Sequence, residues 1–283
     1  MDFCKLKEKI SFISLKQAAL QQRLSTLVDV LRRIVPDISE QEVYLKEVYN
    51  HYFELKYRVL QAFQCQLMLK ALEGCEKKTI TVVDIGDSAG THMMYLRSLT
   101  HGIHDIESVS VNLDSQAIQK IRSKGLEAIL CPAEELDLKG RPVDMFTSFE
   151  MLEHLHNPAY LLRRLAKQKG RGTLVITVPY VKKSRVGLHS IRGQRLQPVS
   201  AEDEHIFEFS PQDWELLFLH SGWKVVFSKI CYQYPRHLAM LSPLLAWFWK
   251  RTDFEGFWGA ILGKDTSFSD CYQDWPEHDA QLV

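Results

Sequence analysis

Apolar residues in the first segment recur alternately four and three apart: Leu6, Ile10, Ile13, then polar Gln17, then Leu20, Leu24, Leu27, Leu31 and Ile34. That is the seam of a heptad helix with one interruption, ended by Pro36. It predicts an amphipathic helix lying on its own domain. The alternative is a homodimer contact through a coiled coil, for which about four heptads is a bare minimum. A second helix is predicted from Ser39, whose spacing to Glu42 lets cap and third helical residue satisfy each other's free donors, to Gly74 as C-terminal stop. It carries Tyr44, Tyr49, Tyr52, Phe53, Tyr57 and Phe63, a set suited to core packing or to roofing a pocket.

From about residue 79 the pattern changes. The runs 79–85, 108–113, 127–131, 143–149 and 173–179 are apolar or alternating, and between them lie helical patterns near 90–100, 115–124 and 158–168. Such alternation predicts βαβ units and a mainly parallel sheet covered on both faces. Ser210, Pro211 and Asp213 read as cap, first-turn proline and acidic first turn of a helix stopping near Gly222, followed by strands at 223–230 and 257–264. The expected organisation is an N-terminal helical region over 1–75 and a main domain over 76–264 with inserts near 180–205 and 235–252. An acidic, mobile tail is expected over 265–283.

Composition narrows the function classes. Lys+Arg and Asp+Glu are both 35 in 283 residues, so nothing global draws the chain to nucleic acid or an anionic surface. Six scattered cysteines without a CxxC pair suit reduced thiols, and a cytoplasmic location is expected. The apolar stretch 237–249 is shorter than the roughly 20 residues of a membrane span.

The most informative stretch is VVDIGDSAGTHMMYL, residues 82–96. Gly86, Ser88 and Gly90 have the wrong spacing for a dinucleotide turn, and no lysine follows as a P-loop requires. Asp84 at the strand end would repel a phosphate and suits a cation or a hydroxyl-bearing ligand. Taken with VSVNLDSQAI (109–118), CPAEEL (131–136), SFEMLEHLHNP (148–158) and GTLVITVP (172–179), the chain resembles the class I S-adenosylmethionine-dependent methyltransferases of the small-molecule branch over roughly 79–230.

The resemblance implies an α/β fold: a Rossmann-like, mostly parallel seven-strand sheet with an N-terminal helical extension. It implies S-adenosylmethionine as cofactor and S-adenosylhomocysteine as product. Asp84, Gly86, Ser88 and Gly90 would hold the methionine part, Asn112 and Leu113 the ribose side, and Ala133 and Glu134 the adenine. Ser148, Phe149 and Glu150 would face the methyl group and acceptor. The sequence departs from the family at Ser88, usually glycine, at Asn112, usually Asp or Glu, and at Pro132, often Asp.

Methyl transfer from an activated sulfonium needs alignment and, for a hydroxyl acceptor, proton removal. Candidates are His205 first, then His154 with Glu150, and last His156. His154 and His156 read as half a metal site with no partner cluster nearby, and no metal is expected. Lys182, Lys183, Arg185, Arg192 and Arg195 crowd 180–195 without an acid, which points to an anionic acceptor: a nucleotide sugar, an acidic glycan or a lipid-linked phosphate. The segment 235–251 suits a lid, a dimer contact or an interfacial helix, membrane contact being the less favoured use. The expected activity is O-methylation of a small-molecule or glycan-type acceptor. The rival is a dimeric scaffold that binds the cofactor without turnover.

Overall fold

The structure, a computed structural model, describes residues 3–38, 51–187, 205–236 and 256–273. Three helices come first: α1 (Phe3–Gln21), α2 (Ser25–Ile34) and α3 (His51–Ala71). The alternating part follows as β1 (Thr79–Ile85), α4 (Thr91–Leu99), β2 (Asp105–Asn112), α5 (Ser115–Ser123), β3 (Glu127–Leu130), β4 (Met145–Phe149), α6 (Pro158–Lys167) and β5 (Thr173–Pro179). A short ribbon of β6 (Arg185–Val186) and β7 (Phe207–Glu208) precedes α7 (Pro211–His220), β8 (Trp223–Tyr232) and β9 (Gly256–Lys264). Single-turn 3₁₀ helices lie at Ala133–Glu135, Leu152–His154 and Ser269–Cys271.

The seven-strand sheet has the order β3-β2-β1-β4-β5-β9-β8. The first five strands run parallel, and β9 inserts antiparallel between β5 and β8. Alternate residues feed two cores: Ile80 and Val82 face α1 to α5, while Val83 and Ile85 face α6 and α7. Sequential β-α pairing and a strand-order reversal at β1/β4 place the carboxyl ends of β1, β2, β4 and β5 on one edge, where α/β ligands sit. Helix α3 lies across β9 because Gly259 has no side chain. A Cβ there would come within 2.4 Å of Leu67 and 2.7 Å of Phe63.

The N-terminal expectation needs correction. The chain forms two helices, broken at Gln22 and Arg23, and Arg23 takes a φ of 59°. Gln22 is the reason: its amide donates to Tyr232 O at 2.8 Å and accepts from Tyr232 N at 2.8 Å, so the helix ends where its side chain extends β8. The buried stripe of α1 is Leu15, Ala18 and Ala19, and the expected seam residues Ile10, Ile13 and Leu20 are exposed. The seam holds only at α2, where Leu24, at its cap, and Leu31 are buried. The cap at Ser39 and the insert 237–249 lie outside the described residues, whereas the stop at Gly74 is present with a φ of 73°.

The tail also differs. Residues 265–273 pack on the domain, with Ser269 buried and Asp270 2.6 Å from Arg163. Among the described residues no helix is long and apolar enough to cross a membrane.

Candidate active site

The carboxyl edge is built outward from β1. Asp84 lies in register with Ser110 of β2 and Thr147 of β4, so three polar side chains meet where the sheet opens. Thr147 Oγ1 donates to Asp84 Oδ1 at 2.7 Å, while Asp84 Oδ2 is sealed from solvent with no partner. Burial, then the charge of Asp87, pushes the Asp84 carboxyl well above the usual carboxylate range. A buried acid with an open acceptor favours a cationic donor as ligand.

Asp87, which sequence reasoning passed over, organises the turn. Its Oδ1 accepts from Ala89 N at 3.0 Å and Gly90 N at 2.7 Å, and its Oδ2 accepts from Ser110 Oγ at 2.6 Å. Asn112 completes the brace by donating Nδ2–H to Asp87 O at 3.0 Å and accepting from Asp114 N at 2.8 Å. The asparagine is thus engaged at both ends of its amide in holding the turn, a task the expected ribose contact did not foresee. Asp114 caps α5 by accepting from Gln116 N. Gly90 caps α4 at a φ of 73°, and a Cβ there would lie 2.4 Å from Leu126 Cδ1. Only a residue without a side chain fits that turn.

The remaining predicted cofactor residues line the same edge. Ser88 is half-buried in the turn, and Leu113 stands exposed after β2. Ala133 and Glu134 form the 3₁₀ turn after β3, braced by Arg164, which donates to Glu134 O. Ser148 Oγ, at the end of β4, is sealed with no hydrogen-bond partner.

Helix α3 forms the roof. Gln64 donates Nε2–H to Thr177 Oγ1 at 3.0 Å and shares a 2.8 Å hydrogen bond between its Oε1 and His92 Nε2. His92 Nδ1 lies 3.9 Å from Asp84 Oδ2, and the ring sits 4.8 Å from that of Phe149. Burial pushes this imidazole down to about 4, so it is neutral at ordinary pH. Polar residues every three positions in an aromatic helix, Arg58, Gln61 and Gln64, were the available signal that one face of α3 meets something other than core.

Glu150 follows β4 with a φ of 50°, its N–H bonded to Thr177 O at 2.9 Å. Its Oε1 is sealed and unpartnered. Burial pushes the carboxyl up to about 8, opposed by a Thr177 hydrogen bond and by nearby Lys56. The ribbon β6–β7 folds over the next turn, pinned by a 2.7 Å hydrogen bond from Ile206 N to Glu153 O. That contact brings His205 against His154, rings edge-to-face with centroids 4.9 Å apart. His205 Nδ1 lies 2.8 Å from Glu208 Oε1, while Arg185 pairs with Glu208 Oε2. Those two partners hold the Glu208 carboxyl down at about 2. His156 is exposed and is not part of this group. Of the basic stretch, Arg185 is thus engaged, Lys182 and Lys183 are exposed, and 188–204 lie outside the described residues.

Residues 55–227 match the family described as methyltransferase domain. No curated protein sequence matches significantly. Among solved structures, the chain resembles the Burkholderia thailandensis 1,6-didemethyltoxoflavin-N1-methyltransferase bound to 1,6-didemethyltoxoflavin and S-adenosylhomocysteine. That match has 16% identity, 87% of this chain, 90% of that one and a TM-score of 0.53. It resembles the [4+2]-cyclase SpnF at 12% identity, covering 88% and 97% with a TM-score of 0.52. It also resembles Haemonchus contortus phosphoethanolamine N-methyltransferase 2 in complex with S-adenosyl-L-methionine, at 14%, covering 72% and 52%, with a TM-score of 0.51. At these identities the likeness shows the shared fold.

Proposed function

This chain belongs to the methyltransferase domain family, and from that premise we propose that it transfers the methyl group of S-adenosylmethionine to an oxygen of a small or glycan-type, anionic acceptor. S-adenosylmethionine is the cofactor and supplies an already activated methyl. The observation that carries the site assignment is the unpartnered Asp84 Oδ2 behind the glycine turn. Asp84 accepts from the ammonium of the methionine part, whose charge offsets the cost of keeping the carboxylate buried. The turn at Gly86, Ser88 and Gly90 lets backbone approach the same part. Leu113 and the Ala133–Glu134 turn flank the nucleoside side.

Phe149 ends β4 and Glu150 follows it, at the edge where acceptor and methyl must meet, and positioning supplies most of the rate. His92, held neutral against Phe149, adds no positive charge beside the sulfonium. The proton of an acceptor hydroxyl leaves toward the edge formed by Glu150, His154 and His205. Lys182 and Lys183, exposed just after the end of β5, support an anionic acceptor. A scaffold that only holds cofactor would leave these acid and imidazole groups without a task, and turnover separates the two readings.

The test is calorimetric titration with S-adenosylmethionine, S-adenosylhomocysteine and, as control, NADH. Micromolar affinity for the first two is expected, with a loss of 30-fold or more in Asp84→Asn. Binding that ignores Asp84→Asn would overturn the assignment. Screening for S-adenosylhomocysteine release against anionic and neutral hydroxyl compounds then tests the acceptor class.

A further inference from the structure

One cluster is not explained by the cofactor turn. Glu153 is 0% exposed, and neither of its carboxylate oxygens has a hydrogen-bond partner. A buried acid left this way is costly unless something else meets it. The side chains nearest in kind are His154, next in sequence, and His205, delivered by the ribbon that packs on this turn. One ligand atom from each of the three lies within 4.8 Å of the others. The sequence offered no third ligand beside His154, because the fold supplies it from 51 residues further on.

The surroundings have the form of a metal centre. Glu208 engages His205 Nδ1 at 2.8 Å and is itself held by Arg185. A carboxylate on one ring nitrogen fixes tautomer and ring angle and directs the other nitrogen toward an ion. The backbone bond from Ile206 to Glu153 O locks the two ligand-bearing segments together, so the pair of imidazoles is positioned by structure as well as by side-chain choice. An ion about 2.1 Å from each ligand holds its donors within about 4.2 Å of one another, so the three close in slightly as it binds.

We propose that Glu153, His154 and His205 bind one divalent cation of the Mn²⁺, Fe²⁺, Co²⁺, Ni²⁺ or Zn²⁺ type at the acceptor edge of the site. Two imidazoles and one carboxylate suit these ions better than Mg²⁺ or Ca²⁺, which prefer all-oxygen shells, and three protein ligands leave positions open. This deepens the proposed function and rests on it for its chemistry. An acceptor with two adjacent oxygens, such as a vicinal diol, a catechol or a hydroxy acid, fills the open positions. The bound hydroxyl becomes more acidic and gives its proton to Glu150. Its oxygen then forms a bond to the methyl carbon as the carbon–sulfur bond breaks, and the sulfonium becomes a neutral thioether.

The test uses tag-free, full-length protein stripped with chelator and titrated with Co²⁺, Mn²⁺ and Zn²⁺ by calorimetry and, for Co²⁺, by visible absorption. One equivalent at micromolar affinity with a nitrogen–oxygen cobalt spectrum is expected. A loss of 30-fold or more is expected in both His205→Ala and Glu153→Gln, and none in His156→Ala, which is exposed nearby. His205→Ala alters a half-exposed ribbon residue, so it keeps the test sharp if Glu153→Gln folds poorly. Saturation that is absent, or equal in wild type and His205→Ala, overturns the proposal. Titrating the metal-free wild type with S-adenosylmethionine separates the two readings. Cofactor binding without metal binding sinks this inference alone, and metal binding without cofactor binding sinks the methyltransfer reading.

Discussion

Replacing Gly90 by alanine tests whether the glycine turn is set by backbone conformation alone or by contact with the helix layer behind it. Gly74 provides the control: its φ is also 73°, and a Cβ there would meet nothing within 4 Å. Gly74→Ala therefore costs only the left-handed penalty, about 1 kcal/mol. At Gly90 the same Cβ would lie 2.4 Å from Leu126 Cδ1, closer than carbon atoms approach, so Leu126 or the turn must move. Overpacking of this kind adds about 1–3 kcal/mol, for a total of about 2–4 kcal/mol. With an unfolding entropy of about 2.1 cal/mol/K per residue, each kcal/mol lowers the midpoint of a 283-residue chain by about 2 °C. The expected drops are about 2 °C for Gly74→Ala and about 5 °C for Gly90→Ala, read by thermal melts without ligand. Leu126→Val, which removes Cδ1, completes a double-mutant cycle in which about 1–2 kcal/mol of the Gly90→Ala cost is recovered. A Gly90→Ala protein no less stable than Gly74→Ala, or a cycle with zero coupling, would refute the steric argument.

Two further outcomes follow from the same network. The His92 imidazole titrates at about 4 in the folded chain against 6.5 unfolded, so between those values the unfolded chain binds more protons and stability falls as pH falls. By pH 5 the loss is about 2 kcal/mol, and His92→Asn should remove that share of the acid sensitivity in denaturant titrations; an unchanged slope would contradict it. Gln22→Ala should cost about 2 kcal/mol through the two lost bonds to Tyr232 and should speed exchange of the Tyr232 amide at least tenfold. Equal protection in both proteins would show that the tether contributes nothing.

The βαβ half of the molecule was readable because buried parallel strands are written as apolar runs, and α5, α6 and α7 begin with side-chain caps. Ser210 accepts from Asp213 N as the cap spacing predicted. The glycine turn was readable for a similar reason, since the turn needs particular residues at particular places. Asp87 was not, because nothing in the local pattern says that an acid will turn back to bind Ala89, Gly90 and Ser110. The N-terminal seam misled because periodicity counts isoleucines and leucines, while α1 packs through small Ala18 and Ala19. Its break depends on a partner 210 residues away. The acidic run after Lys264 looked solvated because Arg163, which holds Asp270, is remote in sequence.

The position of β9 has a consequence for how the chain is made. This strand lies inside the finished sheet, one place from its edge, bonded to β5 on one side and β8 on the other, yet among the described strands it is made last. Until it arrives, β5 presents an open edge of Val175, Ile176 and Val178, and β8 has no sheet to join. Such an edge templates pairing with other chains. Synthesis therefore passes through an interval in which five correct parallel strands form a surface more adhesive than the native protein, and a stop or pause before residue 264 prolongs it. A chaperone that covers a strand edge would matter most to this protein during that interval.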